Sequence, residues 1–140
     1  MVAVLPPGTA APVGVTVIPN PKPEGEQIAS LRLALSQLTN TSSVGAIVWP
    51  VDHPFVSLES VLAIIDAAKR SGAPIARPEF EGAHGHPVFF HRDTWRELMT
   101  VADGGAREVV HSYGARVATV AVRDRGVLRD IDYPEDLRGR

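Results

Sequence analysis

Gly45-Ala46-Ile47-Val48-Trp49-Pro50-Val51-Asp52-His53-Pro54 is the stretch whose reading decides the fold. An apolar run delivers one carboxylate to its C-terminal end, and prolines lock the exit. Such a run reads as a buried parallel strand, and in open α/β sheets ligands sit just beyond the carboxyl ends of the strands. Asp52 is therefore the first place to look for chemistry. A hard anionic oxygen there suits Mg²⁺, which takes one or two carboxylates and fills its shell with water and substrate phosphates. The competing reading gives Asp52 a local task, as a helix cap or an Asx turn before Pro54.

Working outward, strands and helices alternate. Val2 to Leu5 and Val13 to Ile18 are short β-branched runs parted by Pro6-Pro7-Gly8-Thr9, which reads as strand, loop, strand. Between 24 and 38, Ile28, Leu31, Leu35 and Leu38 fall at helical spacing, with Glu24 and Glu26 near the start where the helix dipole favours them. A second helix is expected over Leu58 to Lys69, with Ser57 as N-cap and Gly72 as its stop. Ala73 to Arg77 and Pro87 to Phe90 read as strands, with a polar loop over Glu79 to Gly85. Two helical pieces follow, Thr94 to Ala102 and Ala106 to Ser112, broken at Gly104-Gly105. Val117 to Val122 reads as a long strand, Val127-Leu128 as a short one and Pro134 to Leu137 as a helical turn. The alternation predicts a three-layer α/β sandwich around a mostly parallel sheet, in one domain over residues 1–140.

Composition narrows the function. A formal charge of -2 leaves no basic field for nucleic acid, and the absence of cysteine rules out disulfides and thiolate metal sites. No stretch is long and apolar enough for a membrane span, and Met1 to Leu5 lacks the basic start of a signal peptide. A cytoplasmic protein is expected.

Other residues have paired readings. Asp130 and Asp132, remote from Asp52 in sequence, could share its cation if their strands are neighbours; alternatively Asp130 is a turn residue and Asp132 caps the turn begun at Pro134. His84, His86 and His91 suggest zinc only superficially, since a catalytic site needs three well-placed ligands. Gly85 could let the backbone approach a ligand while His86 donates a hydrogen bond or packs on the strand behind it. Arg107, after Gly104-Gly105, could pair with a phosphate or belong to an ordinary helix–helix turn. Ser30 could face a ligand or serve only as a cap. No serine has the glycine context of a nucleophile elbow.

Taken in order, Asn20-Pro21 with Gly25, Ser30-Leu31, Pro50-Val51-Asp52-His53-Pro54, Gly85-His86-Pro87, Gly105-Ala106-Arg107 and Asp130-Ile131-Asp132-Tyr133-Pro134-Glu135-Asp136 resemble the MobA-like nucleotidyltransferases, closest to the molybdenum-cofactor cytidylyltransferase branch. The resemblance implies a Rossmann-like, GT-A-like fold, as in nucleotide-diphospho-sugar transferases. A nucleoside triphosphate and Mg²⁺ would bind at the sheet crest, and a small phosphorylated acceptor would attack the α-phosphorus. It makes Asp52 the metal ligand and catalytic residue, Asp130 or Asp132 the second carboxylate, Ser30 a neighbour of the base, and Gly85 and His86 the acceptor side.

The sequence departs from that pattern at its start. The family opens with a strand and a glycine-rich, Arg- and Lys-containing loop that wraps the triphosphate, and nothing in the 140 residues matches it. Met1 to Leu5 resembles the family's second strand, so the fold is expected to be N-terminally truncated. The first strand of the family lies between the second and the fourth, so its loss predicts two unpaired strand edges, to be covered by closure of the sheet, another chain's strand or dimerisation. A homo-oligomer is expected, and unaided activity is doubtful. The rival class is a non-catalytic binding or assembly remnant; a third reading is a sugar-phosphate nucleotidyltransferase.

Overall fold

The computed structural model describes residues 1–138. The chain divides into two compact units, Met1–Val44 with Trp95–Ser112, and Gly45–Thr94 with the chain from Tyr113 onward.

In the first unit, β1 (Val2–Leu5) and β2 (Thr16–Pro19) pair in parallel, Val2 opposite Thr16 and Leu5 opposite Pro19. Helix α1 (Gln27–Leu38) packs on β1 and on α3 (Trp95–Thr100), burying Ile28 and Leu35. Arg32 on α1 donates to the carbonyls of Leu98 and Val101, which satisfies acceptors that the end of a helix leaves without partners. Helix α4 (Gly105–Tyr113) opens on Gly105 directly after Gly104, both at positive φ, which glycine alone adopts without strain. The Gly105 backbone lies against Ile28 of α1.

The second unit is built on a five-stranded sheet. Strand β3 (Gly45–Val48) pairs with β6 (Val88–His91), β6 with β4 (Ile75–Phe80), and β4 also with β5 (Ala83–His84) and β7 (Val117–Ala121). Helix α2 (Leu58–Ser71) covers one face, where Ile64 and Ala68 meet Ala76 with Ile47, Phe89, Ala118 and Val120 around them. Its ends are as the sequence suggests: the Ser57 hydroxyl accepts from the Ser60 amide at 3.2 Å, and Gly72 stops the helix at φ 64°. Glu59 in its first turn and Lys69 and Arg70 in its last complement the dipole.

Two expectations are corrected. The sheet is mixed, because β6 runs antiparallel to both β3 and β4, and β5 antiparallel to β4, whereas β4 and β7 are parallel. The β4–β5 hairpin, closed by Glu81 and Gly82 at positive φ, turns the chain within what reads as a polar loop. Val127-Leu128 is no strand but part of a 3₁₀ turn, Arg125–Leu128, whose N-cap is Asp124. Val127 is buried all the same, which explains its apolar signal.

Among the described residues β1 has β2 as its sole strand partner, and β3 has β6. Each therefore presents an edge without a ladder partner. Among them, too, no helix is long and apolar enough to cross a membrane.

Candidate functional site

The reversal of β6 is what assembles the candidate site. Val48, the last residue of β3, pairs with Val88, the first of β6, so the chain entering β6 and the chain leaving β3 meet at one edge of the sheet. His86 and Asp52 lie on those two segments. Strands β4 and β7 run parallel to β3, so the segment after β7, with Asp124 to Asp132, emerges at the same edge.

Asp52 sits in a turn closed by the His53 amide donating to the Pro50 carbonyl at 3.2 Å, and the Trp49 indole donates to the His53 carbonyl at 2.8 Å. The Asp52 carboxylate lies 3.0 Å from Nδ1 of His53. The His53 ring meets that of His86 edge to face, centroids 4.7 Å apart. The Nδ1 atom of His86 is buried without a hydrogen-bond partner. Burial first, then the neighbouring His53, holds the His86 pKa below its ordinary value, with Asp52 pulling the other way.

The main chain knits these residues together. The His86 amide donates to the Val127 carbonyl at 2.8 Å, and the Ile131 amide to the Asp52 carbonyl at 2.8 Å. Ile131 lies between Asp130 and Asp132, both exposed, so the second acidic segment runs alongside the Asp52 turn. The carboxylate that closes the following turn belongs to Asp136, which accepts from the amides of Asp132 and Tyr133 at 3.1 and 2.9 Å. Arg129 packs its guanidinium 4.2 Å over the Phe55 ring and donates to the Asp136 carbonyl.

What approaches the Gly85 backbone is the protein itself: a Cβ there would stand 2.1 Å from the Val127 oxygen. His84 pairs with Glu79 at 3.3 Å and His91 with Asp93 at 3.3 Å, so the three histidines read as a patch have separate partners. Among the described residues no group of three or more His, Asp or Glu gathers as a metal cage. A set of one or two carboxylates fits a hard divalent cation that draws its other ligands from water and phosphate.

Ser30 and Arg107 belong to the first unit. The Ser30 hydroxyl accepts from the side-chain amide of buried Asn20 at 2.9 Å, and Asn20 also accepts from the Lys22 amide and donates to the Leu5 carbonyl. Arg107 is exposed in the first turn of α4. His53 and Asp124 carry no role in the sequence reading. Adjacency to Asp52 is the signal His53 offers, whereas Asp124, between Arg123 and Arg125, looks like one charge in a solvated run.

The mixed α/β fold matches those of solved nucleotidyltransferase structures over most of the chain. A 4-diphosphocytidyl-2C-methyl-D-erythritol synthase superposes with a TM-score of 0.71 at 15% identity, over 98% of this chain and 78% of that one. The chain belongs to the MobA-like NTP transferase domain family, whose pattern matches residues 1–117. It is similar to Rv0371c from Mycobacterium tuberculosis H37Rv, with 30% identity, a TM-score of 0.69 and coverage of 89% of this chain. A structure of Rv0371c complexed with manganese matches at 28% identity and a TM-score of 0.72, over 92% of this chain and 66% of that one. This chain spans about 62% of the length of the first Rv0371c structure. No curated protein matches.

Proposed function

We propose that this chain is a nucleotidyltransferase domain that transfers a cytidylyl or guanylyl group from a nucleoside triphosphate to a small phosphorylated acceptor, a molybdopterin-type cofactor among the candidates. Its fold in this reading is the GT-A-like form of the Rossmann topology. The observation that carries the reading is the joining of Asp52, His53 and His86 at the sheet edge, with the Asp130–Asp132 segment bonded to the Asp52 backbone.

An acceptor phosphate oxygen attacks the α-phosphorus, the bond to the bridging oxygen breaks, and pyrophosphate leaves with the electron pair. Asp52, with Asp130 or Asp132, would hold a divalent cation, Mg²⁺ or the manganese that Rv0371c was crystallised with. When bound, that cation neutralises charge on the phosphates. His86, held neutral by its burial, would stand on the acceptor side and help to orient the acceptor. His53 fixes the carboxylate of Asp52 through Nδ1.

Titration of Mn²⁺ into the protein tests this reading. Paramagnetic broadening near residue 52 in wild type, absent in Asp52→Asn, supports it; equal broadening in both sinks it. The 140 residues hold no glycine-rich, cationic triphosphate loop, and losing one preorganised donor costs about 2.7 to 4 kcal/mol of barrier. Unaided turnover of CTP or GTP is therefore expected to be negligible, and robust pyrophosphate release from these residues alone would show that another segment supplies those contacts. The open edges of β1 and β3 favour a second reading, an assembly or binding role in a homo-oligomer.

A further inference from the structure

Asp124 carries no role in the site as built above, yet its carboxylate spans two segments. One oxygen accepts from the Ser57 amide at 2.7 Å and the Ser60 hydroxyl at 2.8 Å, at the start of α2. The other accepts from the Gly126 amide at 2.8 Å, within its own turn. The turn so folded presents the Val127 carbonyl to the His86 amide, and three residues past its end Ile131 donates to the Asp52 carbonyl. It has no slack on either side. A Cβ on Gly126 would stand 2.1 Å from the Phe55 oxygen, and one on Gly85 2.1 Å from the Val127 oxygen.

The backbone positions of His86 and Asp52 thus both refer to one strap, residues 124–131, and a single carboxylate bonds the strap to the start of α2. We infer that Asp124 is a positioning residue for the transfer site, holding the strap so that His86 and Asp52 keep their mutual placement; this rests on the reading of those two residues as the site. An asparagine cannot take its place. It offers one acceptor oxygen and turns its amide hydrogens toward a second donor, so one of the two arms is lost. Burial would raise the Asp124 pKa, but the donors at Ser57, Ser60 and Gly126 outweigh it and hold the carboxylate below its ordinary value.

Amide hydrogen exchange on the whole chain, with histidine ring resonances alongside, tests the inference without needing turnover. In Asp124→Asn the amides of His86 and Ile131 exchange at least about tenfold faster, while those of the β4–β7 pair keep their wild-type rates. The His86 ring signals shift, and those of His84 and His91 do not. Ser60→Ala removes one of the two donors on the oxygen that faces α2, leaving the Ser57 amide in place, and serves if the first variant does not fold; the same pattern appears at smaller amplitude. Unchanged exchange and an unchanged His86 ring in a folded variant overturn the role of Asp124, whatever Mn²⁺ does. Equal Mn²⁺ broadening in wild type and Asp52→Asn overturns the transfer-site reading instead, and the inference with it.

Discussion

Substituting Gly85 by alanine puts the geometry of the crest to its hardest test. The added Cβ would lie 2.1 Å from the Val127 oxygen, 2.6 Å from its carbon and 3.1 Å from a Leu128 methyl. Backbone cannot give way as a side-chain tip does, so the two segments must part by about 0.9 Å to reach a tolerable 3.0 Å. The next residue along, His86, donates its amide to that same oxygen at 2.8 Å, and the displacement stretches this bond to about 3.7 Å, beyond hydrogen-bonding range. Overpacking of about 1 to 3 kcal/mol and a lost hydrogen bond of about 1 kcal/mol together predict a loss of about 2 to 4 kcal/mol. Urea denaturation of wild type and Gly85→Ala reads the difference from the shift in midpoint at constant slope. Gly126→Ala pushes on the same strap from the Phe55 side, so the double variant departs from additivity by about 0.5 kcal/mol or more. A Gly85→Ala variant within about 0.5 kcal/mol of wild type, with the His86 amide still protected, would refute the close contact and with it the account of how the crest is held.

Asp124, held below its ordinary pKa in the fold, contributes stability that is fully present above about pH 4 and is lost as pH falls through its folded value. The stability gap between wild type and Asp124→Asn is therefore flat from pH 7 to 5 and narrows below 4; a gap that widens toward acid refutes this. Asn20→Ala leaves the Ser30 hydroxyl and the Lys22 amide without their partner and should cost about 1 to 3 kcal/mol in chemical denaturation, and an unchanged midpoint would deny the pairing any structural weight. Sedimentation at micromolar concentration should give a dimer or larger species, because the open strands carry almost no charge to blunt them; a single sharp monomer would end that expectation.

The sequence made some features legible and hid others for physical reasons. Helix α2 announced both its ends, since Ser57 and Gly72 act through local backbone geometry that needs no knowledge of the rest of the chain. The run ahead of Asp52 reads as a buried parallel strand, whereas β3 is half-buried and its one strand partner among the described residues, β6, is antiparallel; an apolar period carries no direction, so this reversal could not be foreseen from Val88 to His91. Val127 signalled burial and not extension: its buried side chain sits in a turn shaped by a carboxylate three residues earlier. The use of Gly85 depends on a carbonyl more than forty residues away, beyond the reach of any local pattern. The pairing of His53 with His86 is hidden for the same reason.

The mixed direction of the sheet also makes residue number, as distinct from residue type, a constraint on this crest. Gly85 donates to the Pro78 carbonyl and His86 to the Val127 carbonyl, so the chain between hairpin and β6 is tied at consecutive residues. Adding or removing one residue there would exchange the two faces of β6, putting Phe90 where Phe89 now meets α2 and moving His86 off the edge it shares with Asp52. The hairpin tip at Glu81 and Gly82, exposed and beyond both ties, has no such arithmetic to respect. A residue added or removed at the tip leaves both ties in place, and with them the position of His86.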